Sequence, residues 1–166
     1  MNVHSRQLND ADFEQMKTIL LRDGPNEWNY ITEESISQQF QLIQEGKALA
    51  VLAEEQEITG FAILIFKTAC PTKLEKYSSL STMAYINDVV VNANYSGKGI
   101  GSALLQKAIE LSGDAQCEKV YIERHEENLA SAGMMRKASF KLVDTFYDPQ
   151  KRTAGSRNTS VLVKNT

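Results

Sequence analysis

The spacing of apolar residues in the first part of the chain predicts a short strand followed by two helices. The strand covers residues 3–8, and Asn9 or Asp10 caps the first helix, which ends before Gly24. Its apolar side chains recur every three or four residues, as they do on the buried face of a helix. The second helix begins after the N-cap residue Thr32, repeats this spacing and continues as far as the next glycine.

The rest of the chain alternates between apolar runs typical of strands and two further helices. The first two runs are joined by a short polar stretch, which indicates a hairpin of strands covered on both faces. The predicted strands comprise residues 48–53, 58–66, 83–91, 120–123, 140–147 and 159–163. A third helix opens near Gly99 and ends at Gly113, and a fourth covers residues 129–138. A strand, a glycine-rich loop, a helix and another strand therefore follow one another.

Length and composition indicate one globular domain spanning residues 1–166. Of the 166 residues, 42% are hydrophobic and 23% are charged, which suits a single continuous core. The longest apolar run, residues 61–66, is far shorter than a membrane-spanning helix, and residues 1–10 lack the features of a secretory signal. Cys70 and Cys117 lie far apart, which argues against a disulfide framework or a thiolate zinc site. We therefore expect a cytoplasmic protein with no membrane span.

The charge distribution argues against nucleic acid as a partner. The formal net charge is -3, and the chain has neither a basic stripe nor the interleaving of aromatic and basic residues that binds single strands. Neither histidine has the spacing of a metal site, so we interpret His125 as a surface loop residue and His4 as structural. We expect no metal, and the sequence leaves open whether two copies form a homodimer.

Seven residues between the strand that ends at Val91 and the third helix form a loop suited to phosphate binding. They are Ser96, Gly97, Lys98, Gly99, Ile100, Gly101 and Ser102. At a helix N-terminus several backbone N–H groups have no partner and the macrodipole is positive, so the main chain alone can hold a phosphate. Glycine lets the phosphate come close, and the polar side chains of the loop add contacts.

A glycine-rich loop in this position has other interpretations. The glycines can simply form a tight connection between strand and helix. A P-loop is excluded, because neither Gly-Lys pair in the chain has the required earlier glycine or the following Ser or Thr. A dinucleotide-binding fold is the strongest rival, since Glu123 at a strand end lies about 20 residues beyond the loop, where a ribose-binding acid is expected. Against it, Ser102 stands where the third glycine of that motif would be.

The loop and a second block resemble the GCN5-related N-acetyltransferase (GNAT) family. In that family the pyrophosphate-binding segment follows the fourth strand and reads Arg or Gln, two residues, Gly, any residue, then Gly or Ala. Gly99 and Gly101 match this pattern, whereas Ser96 stands at the Arg or Gln position. The second block falls where the family has an Asn, a small residue, a Leu and a Phe. Its residues are Asn128, Ser131, Met134 and Phe140.

The resemblance, detailed over residues 58–140, implies an α/β (α+β) fold. This would be an open, mixed, mostly antiparallel sheet of about seven strands flanked by about four helices, splayed at the fourth and fifth strands. Acetyl-CoA would be the co-substrate, with its pyrophosphate on the glycine loop and its pantetheine lying as a pseudo-strand in the gap. Besides the loop, the implied cofactor-binding residues are Val89, Val90, Val91, Asn128, Ser131 and Met135.

The implied activity is transfer of the acetyl group to a primary amine by direct attack. The reaction needs a neutral amine and a donor to the tetrahedral oxyanion. In the family a backbone N–H of the fourth strand, here of Val89 or Val90, supplies that donor. The usual proton-transfer residues are missing, because Asn87 occupies the place of a frequent glutamate and Met135 that of the tyrosine that protonates the leaving thiolate.

Asp88 is the remaining carboxylate in this strand. Strict alternation would direct Tyr85 and Asn87 to the face opposite Asp88. Our hypothesis is that Asp88 accepts the amine proton, with Tyr85 and Asn87 completing the catalytic set and Tyr85 on the acceptor side. A purely structural role for Asp88, paired with a backbone amide or a basic neighbour, fits the sequence equally well.

The acceptor is a small molecule or peptide amine that would contact three loops. These are residues 25–30, 68–82 and 148–157. The acidic overall balance permits a cationic acceptor, while Lys151, Arg152 and Arg157 equally permit a carboxylate on the substrate. Two alternatives to an acetyltransferase are a CoA-binding protein that has lost catalysis and an NAD(P)-binding oxidoreductase.

Overall fold

A computed structural model of the chain describes all residues from Met1 to Thr166, with four α-helices and seven β-strands. The helices are α1 (Asp10–Asp23), α2 (Glu33–Gln44), α3 (Ile100–Asp114) and α4 (Leu129–Lys137). The strands are β1 (Asn2–His4), β2 (Ala48–Glu54), β3 (Ile58–Phe66), β4 (Met83–Val91), β5 (Lys119–His125), β6 (Lys141–Tyr147) and β7 (Asn158–Asn165). None of the helices combines the length and the apolar composition that a membrane crossing requires.

The seven strands form one sheet in the order β1–β2–β3–β4–β5–β7–β6. Every neighbouring pair is antiparallel except β4 and β5, which are parallel. This confirms the expected open, mixed and mostly antiparallel sheet with four helices. The first strand is shorter than predicted and ends at His4, because the chain then turns towards α1, where the Arg6 guanidinium donates hydrogen bonds to Asp12 and Glu54.

The sheet is buried on both faces, which explains the nearly continuous apolar runs of its central strands. One face packs against α1 and α2 through a core that includes Met16 and Tyr85. The other face packs against α3 and α4 through a second core that includes Leu104 and Met135. All of β3 except Phe66 is buried, and its alternate side chains enter the two cores.

Helices α1 and α2 begin where their capping residues predict. The Oδ1 atom of Asn9 accepts a hydrogen bond from the Asp12 backbone N–H at 2.9 Å, and Oγ1 of Thr32 accepts one from the Ser35 N–H at 3.1 Å. The side chains of Asp12 and Ser35 in turn accept from the backbone N–H of the capping residue, which completes a capping box in each helix. These caps fix which side chains of α1 and α2 face the sheet.

The parallel strands β4 and β5 separate halfway along their length. Their register pairs residues 83–86 with residues 119–122 and stops there, although β4 continues to Val91 and β5 to His125. Beyond this point the facing edges of the two strands no longer bond to each other. The sheet is therefore splayed at its fourth and fifth strands, as expected, and the gap lies beside the start of the loop that leads to α3.

Loss of the Thr32 cap destabilises the protein. The substitution Thr32→Ala removes the acceptor for the Ser35 N–H, and N-cap losses of this kind cost about 1 kcal/mol. For a chain of this size we expect the thermal midpoint, measured by calorimetry, to fall by roughly 2–4 °C. Thr153→Ala is the control, because Thr153 is exposed and lies outside any helix or strand. Equal midpoints for the two variants would contradict the role of the cap.

Candidate active site

Asp88 lies at a β-bulge in β4. The register of β3 and β4 pairs Ala62 with Val89 but Ile63 with Asn87, so Asp88 has no partner across the ladder. Its φ of 37° lies in the left-handed region, which residues other than glycine rarely adopt. An extra residue of this kind bends a strand, increases its twist and changes the direction of the side chains around it.

The bulge makes the predicted alternation wrong at this point. Tyr85 and Val90 both belong to the core beneath α1 and α2, although strict alternation would place them on opposite faces. Asp88 Oδ2 accepts a hydrogen bond at 2.7 Å from Nε2 of Gln39 on α2, so Asp88 lies on the same face as Tyr85. Asn87 lines the same two cavities as Tyr85. The extra residue therefore brings Tyr85, Asn87 and Asp88 together.

Two backbone N–H groups of β4 point into the gap between β4 and β5. The N–H of Asn92 donates to the Thr59 carbonyl oxygen at 2.8 Å, and alternate residues of an antiparallel strand direct their N–H groups the same way. Val90 therefore directs its N–H towards β3, whereas Val89 and Val91 direct theirs to the side where β5 no longer pairs. Of the two residues considered as oxyanion donors, it is Val89 whose N–H faces the gap.

The glycine-rich loop leaves the first turn of α3 open. Gly97 and Gly99 both have a φ of 77°, and a Cβ atom at either position would meet no atom within 4 Å. Gly99 is the N-cap of α3, and no side chain bonds to the N–H groups there. All predicted loop residues except Lys98 line a cavity of about 350 Å³. The Lys98 ammonium instead lies 5.2 Å from the centroid of the Tyr95 ring.

Helix α4 supplies the second block identified in the sequence. Asn128 is its N-cap, and Oδ1 accepts a hydrogen bond from the Ser131 N–H at 3.2 Å, which leaves the side-chain NH₂ group as a donor. Asn128, Ser131 and Met135 line the gap between β4 and β5, a cavity of about 100 Å³. Met134 lines this cavity and the one at the glycine loop, so the two cavities adjoin.

Glu123 is a buried carboxylate held by three side chains. Its Oε1 accepts hydrogen bonds from the Tyr85 hydroxyl at 2.8 Å and from Lys151 Nζ at 3.0 Å. The Lys73 ammonium lies 2.9 Å from Oε2 and forms an ion pair with it. The angle between the two groups is outside the range of a hydrogen bond. Burial alone would raise the pKa of Glu123, but the charges of Lys151 and Lys73 outweigh it and lower the pKa to about 2. Glu123 is therefore a permanent anion at neutral pH.

Asp88 has the opposite electrostatics. Burial raises the pKa of its carboxyl, and the hydrogen bond from Gln39 and the charges of Lys151 and Arg152 only partly offset that effect. Burial also raises the pKa of Tyr85 well above its usual value, so this phenol stays protonated. Of the two carboxyls that line the gap, only Asp88 is shifted in the direction that a proton acceptor near neutral pH requires.

His125 is fully buried, and the interpretation of this residue as part of a surface loop is wrong. Its Nδ1 accepts a hydrogen bond from the Glu127 N–H at 3.0 Å, so Nε2 carries the proton and donates to the Ala154 carbonyl oxygen at 2.7 Å. The Trp28 ring packs against it with the ring centroids 4.7 Å apart. Two loops distant in sequence thus close over the end of β5, which local sequence could not reveal.

Two residues of the site were not predicted from the sequence. Gln39 is a polar residue on the apolar face of α2, one turn after the buried Ile36, and a polar side chain at such a position indicates a buried hydrogen-bond partner. Lys73 lies on a short 3₁₀ turn, Thr72–Lys76, and a lysine in a polar loop carries no signal of a buried partner. Both reach the site only through the tertiary fold.

Comparison with known proteins matches residues 13–140 to the Acetyltransferase (GNAT) family. This segment includes the bulge, the glycine loop and α4. The chain belongs to the GNAT family. The match confirms the resemblance seen in the sequence and, with it, the expected enzyme class, an acetyl-CoA-dependent N-acetyltransferase.

Individual GNAT relatives are more distant. Streptothricin acetyltransferase A of Bacillus subtilis (strain 168) is 28% identical over 120 residues, which are 71% of this chain and 69% of that protein. The ribosomal-protein-S18-alanine N-acetyltransferase from Escherichia coli has a TM-score of 0.75 at 15% identity, covering 99% of this chain and 94% of that one. An aminoglycoside acetyltransferase in complex with coenzyme A and kanamycin has a TM-score of 0.75 at 20% identity, covering 99% and 95%. At these identities the two structures establish the fold.

The GNAT fold also rules out the dinucleotide-binding interpretation of the glycine loop. Only one pair of neighbouring strands is parallel, so the sheet is not a doubly wound parallel sheet. Glu123, the candidate ribose ligand, faces α2 between two lysines, whereas the loop begins α3 on the other face. The loop and Glu123 therefore cannot act as a ribose and pyrophosphate pair.

Neutralising Glu123 lowers the stability of this GNAT protein in a pH-dependent way. Glu123→Gln leaves two ammonium groups without their carboxylate but keeps an acceptor for Tyr85. Because the folded pKa is lowered from the ordinary 4.5 to about 2, the stabilisation is present above pH 4.5 and is lost as the pH falls towards 2. We expect urea unfolding to show a loss of roughly 3 kcal/mol at pH 7 and a smaller loss near pH 3.

The exposed pair of Glu110 and Lys107 provides the control. Its nitrogen and oxygen lie 3.2 Å apart, but the Glu110 side chain is 61% exposed. Exposed pairs contribute about 0–1 kcal/mol, so Glu110→Gln should change stability little at either pH. A loss in Glu123→Gln that is the same at pH 7 and at pH 3 would contradict an ionised, lysine-held carboxylate.

Proposed function

We propose that the protein transfers the acetyl group of acetyl-CoA to a primary amine of a small molecule or peptide, and that the amine attacks the thioester directly. The observation that carries this proposal is the adjoining pair of cavities at the splayed end of the sheet, which share Met134. One is bounded by Val91 and a loop suited to phosphate, and the other by Asp88 and Val89, whose backbone N–H faces the gap. A phosphate-bearing thioester and an amine can meet between them.

The residues present fit the parts of CoA. The open N–H groups at the N-terminus of α3 would hold the pyrophosphate, and the space above Gly97 and Gly99 admits it. The Val91 N–H and the Asn128 NH₂ group would hydrogen-bond to the pantetheine arm. The Val89 N–H would donate to the acetyl carbonyl oxygen, and one such donor is worth about 3 kcal/mol in the transition state. Bound acetyl-CoA supplies the activated acetyl group.

Asp88 would accept the proton of the attacking amine. An amine with a pKa of about 10.4 is neutral in roughly one molecule of 2,500 at pH 7, so its deprotonation must be assisted. Asp88 lines the gap, and its raised pKa makes it a better proton acceptor than Glu123. Tyr85 and Asn87 line the same side, where they would orient the acceptor rather than transfer a proton.

Solvent would protonate the leaving thiolate. Met135 stands where the family has its proton donor, and its buried thioether carries no proton. The thiolate of CoA is a tolerable leaving group, so catalysis does not require a tyrosine at this position. The relatives support an amine acceptor without fixing its identity, because their names specify streptothricin, a ribosomal-protein alanine and an aminoglycoside.

Substitution in the glycine loop should weaken CoA binding. Gly99→Ala and Gly46→Ala form a matched pair, since the two glycines have φ of 77° and 75° and no atom within 4 Å of an added Cβ. Both variants should lose about 1 kcal/mol of stability through backbone strain. Only Gly99→Ala should raise the Kd for CoA, by roughly tenfold for the loss of one charged hydrogen bond. Calorimetric titration giving the same Kd for both variants would contradict the assigned loop.

The pH dependence of turnover tests Asp88. Asp88→Asn keeps an oxygen for Gln39 but removes the base, so kcat/KM should fall by roughly 10²- to 10⁴-fold and the acidic limb of the profile should vanish. Gln39→Met removes a hydrogen bond that lowers the Asp88 pKa, so it should move that limb to higher pH. Thiol release from acetyl-CoA with an amine acceptor measures both effects.

Two other results would decide against parts of this scheme. Unchanged turnover and pH profile in Asp88→Asn would show that Asp88 is structural. CoA binding with no thiol release for any amine would favour the alternative of a CoA-binding protein without catalysis. Either result leaves the fold and the glycine loop as described.

A further inference from the structure

If the proposed function holds, the acceptor amine enters the gap between β4 and β5, and this gap has more basic than acidic side chains. Three basic groups and two carboxyls line it: Arg124, Lys151, Arg152, Asp88 and Glu123. Lys73 adds a further cation at the adjoining cavity beneath α2. The chain as a whole has a net charge of -3, so this local excess of positive charge does not follow from composition.

Most of these cations already have partners within the protein. Lys73 and Lys151 share the carboxylate of Glu123, one on each oxygen. Arg124 Nη1 donates to two backbone carbonyl oxygens, at 3.1 and 2.6 Å. Arg124 takes part in no ion pair either, and its Nε has no hydrogen-bond partner, but Arg124 is only partly buried, whereas the remaining cation, Arg152, is 4% exposed.

Arg152 is a buried guanidinium without a carboxylate partner. The residue is 4% exposed and takes part in no ion pair. Its Nε donates to Thr159 Oγ1 at 2.8 Å, and Nη1 lies 3.5 Å from the Trp28 carbonyl oxygen. The carboxylate of Asp148 is linked to it only through the Thr159 hydroxyl, which donates to Asp148 at 2.8 Å.

The other terminal nitrogen of Arg152 is free. Nη2 donates no hydrogen bond within the protein, and it is not one of the fully buried polar atoms that lack a partner, so it remains accessible. Arg152 lines the gap. Burial lowers the pKa of Arg152 despite the nearby charges of Glu123, Asp148 and Asp88, so these carboxylates only partly offset the cost of burying the guanidinium. A fixed guanidinium nitrogen on a residue that lines a substrate cavity is suited to bind an anionic group of the substrate, such as a carboxylate, through that one nitrogen.

We propose that the Arg152 guanidinium binds a carboxylate of the acceptor, so the acceptor is an amine with a carboxylate close to its nitrogen, as in a free amino acid. Asp88 and Arg152 line the same gap of about 100 Å³, which places the proton acceptor and the anion site within reach of one small molecule. The Lys151 side chain, 41% exposed, adds positive potential at the rim. A polyamine would instead meet like charges.

Pairs of acceptors that differ at the carboxylate test this site. Lysine is compared with cadaverine, and phenylalanine with phenylalaninamide. Thiol release from acetyl-CoA gives kcat/KM, expressed per unprotonated amine because the carboxylate also changes the amine pKa. We expect the carboxylated member of each pair to be favoured by roughly 10- to 100-fold, the effect of one hydrogen bond between charged groups.

Variants of Arg152 test whether this residue causes the preference for the carboxylated acceptor. Because Arg152→Gln also removes a charge that lowers the Asp88 pKa, it can change turnover of both members, and the test is their ratio: the preference for the carboxylated member should be lost. Arg157→Gln is the control, because Arg157 is an exposed arginine of the same loop, and it should leave both values unchanged. Arg152→Lys keeps the charge but not the position of the Nη2 donor, so it should retain part of the preference, and it replaces Arg152→Gln if that variant does not fold.

The outcomes separate this inference from the proposed function. A neutral or polycationic amine acetylated as well as its carboxylated partner would overturn the carboxylate site and leave acetyl transfer intact. If no amine releases thiol, acetyl transfer itself is contradicted, and thermal unfolding of the CoA complex decides the site. If only the carboxylated amine raises the thermal midpoint of the CoA complex, and does not do so in Arg152→Gln, the site is supported. If both amines raise the midpoint equally, the site is overturned.

Discussion

Backbone N–H groups in the interior of a sheet are normally bonded to the neighbouring strand, and β4 departs from this rule in one segment. Its pairing with β5 stops after Ile86, and the bulge at Asp88 changes its pairing with β3 just beyond that point. The N–H groups of Val89 and Val91 thereby face away from β3 without a partner strand, and in the proposed function a ligand would complete the sheet there. The glycine loop follows within a few residues, so β4 would position both ends of the proposed cofactor.

The bulge also determines the electrostatics of the gap. It places Asp88 on the face that carries Glu123, and the environments of the two carboxyls then shift their pKa values in opposite directions. Two lysines keep Glu123 ionised, whereas Asp88 has a neutral amide donor and no ion pair. When the pKa values of two neighbouring carboxyls are shifted apart in this way, one carboxyl can transfer a proton while the other keeps its negative charge.

Features determined by local sequence were predictable, and features determined by the tertiary fold were not. The bounds of β3 and β4 and the cap at Thr32 follow from apolar runs and from one side-chain hydrogen bond, and the glycine loop follows from its place between strand and helix. The bulge escaped prediction because an extra residue at Asn87 or Asp88 leaves the apolar pattern of the strand almost unchanged. The burial of His125 depends on loops that are distant in sequence.

The two halves of the site therefore differ in how freely they can change. The proposed cofactor half is built from main-chain N–H groups and glycine geometry, which tolerate little variation in the backbone but much in the neighbouring side chains. The proposed acceptor half is built by loops that meet around His125, where Trp28 packs against the ring and the Ala154 carbonyl oxygen accepts a hydrogen bond from Nε2. Arg152 belongs to one of these loops and contacts the other through Trp28. A different acceptor would require new residues in these loops but no change in β4, which is how one fold can serve acceptors as different as those named for its relatives.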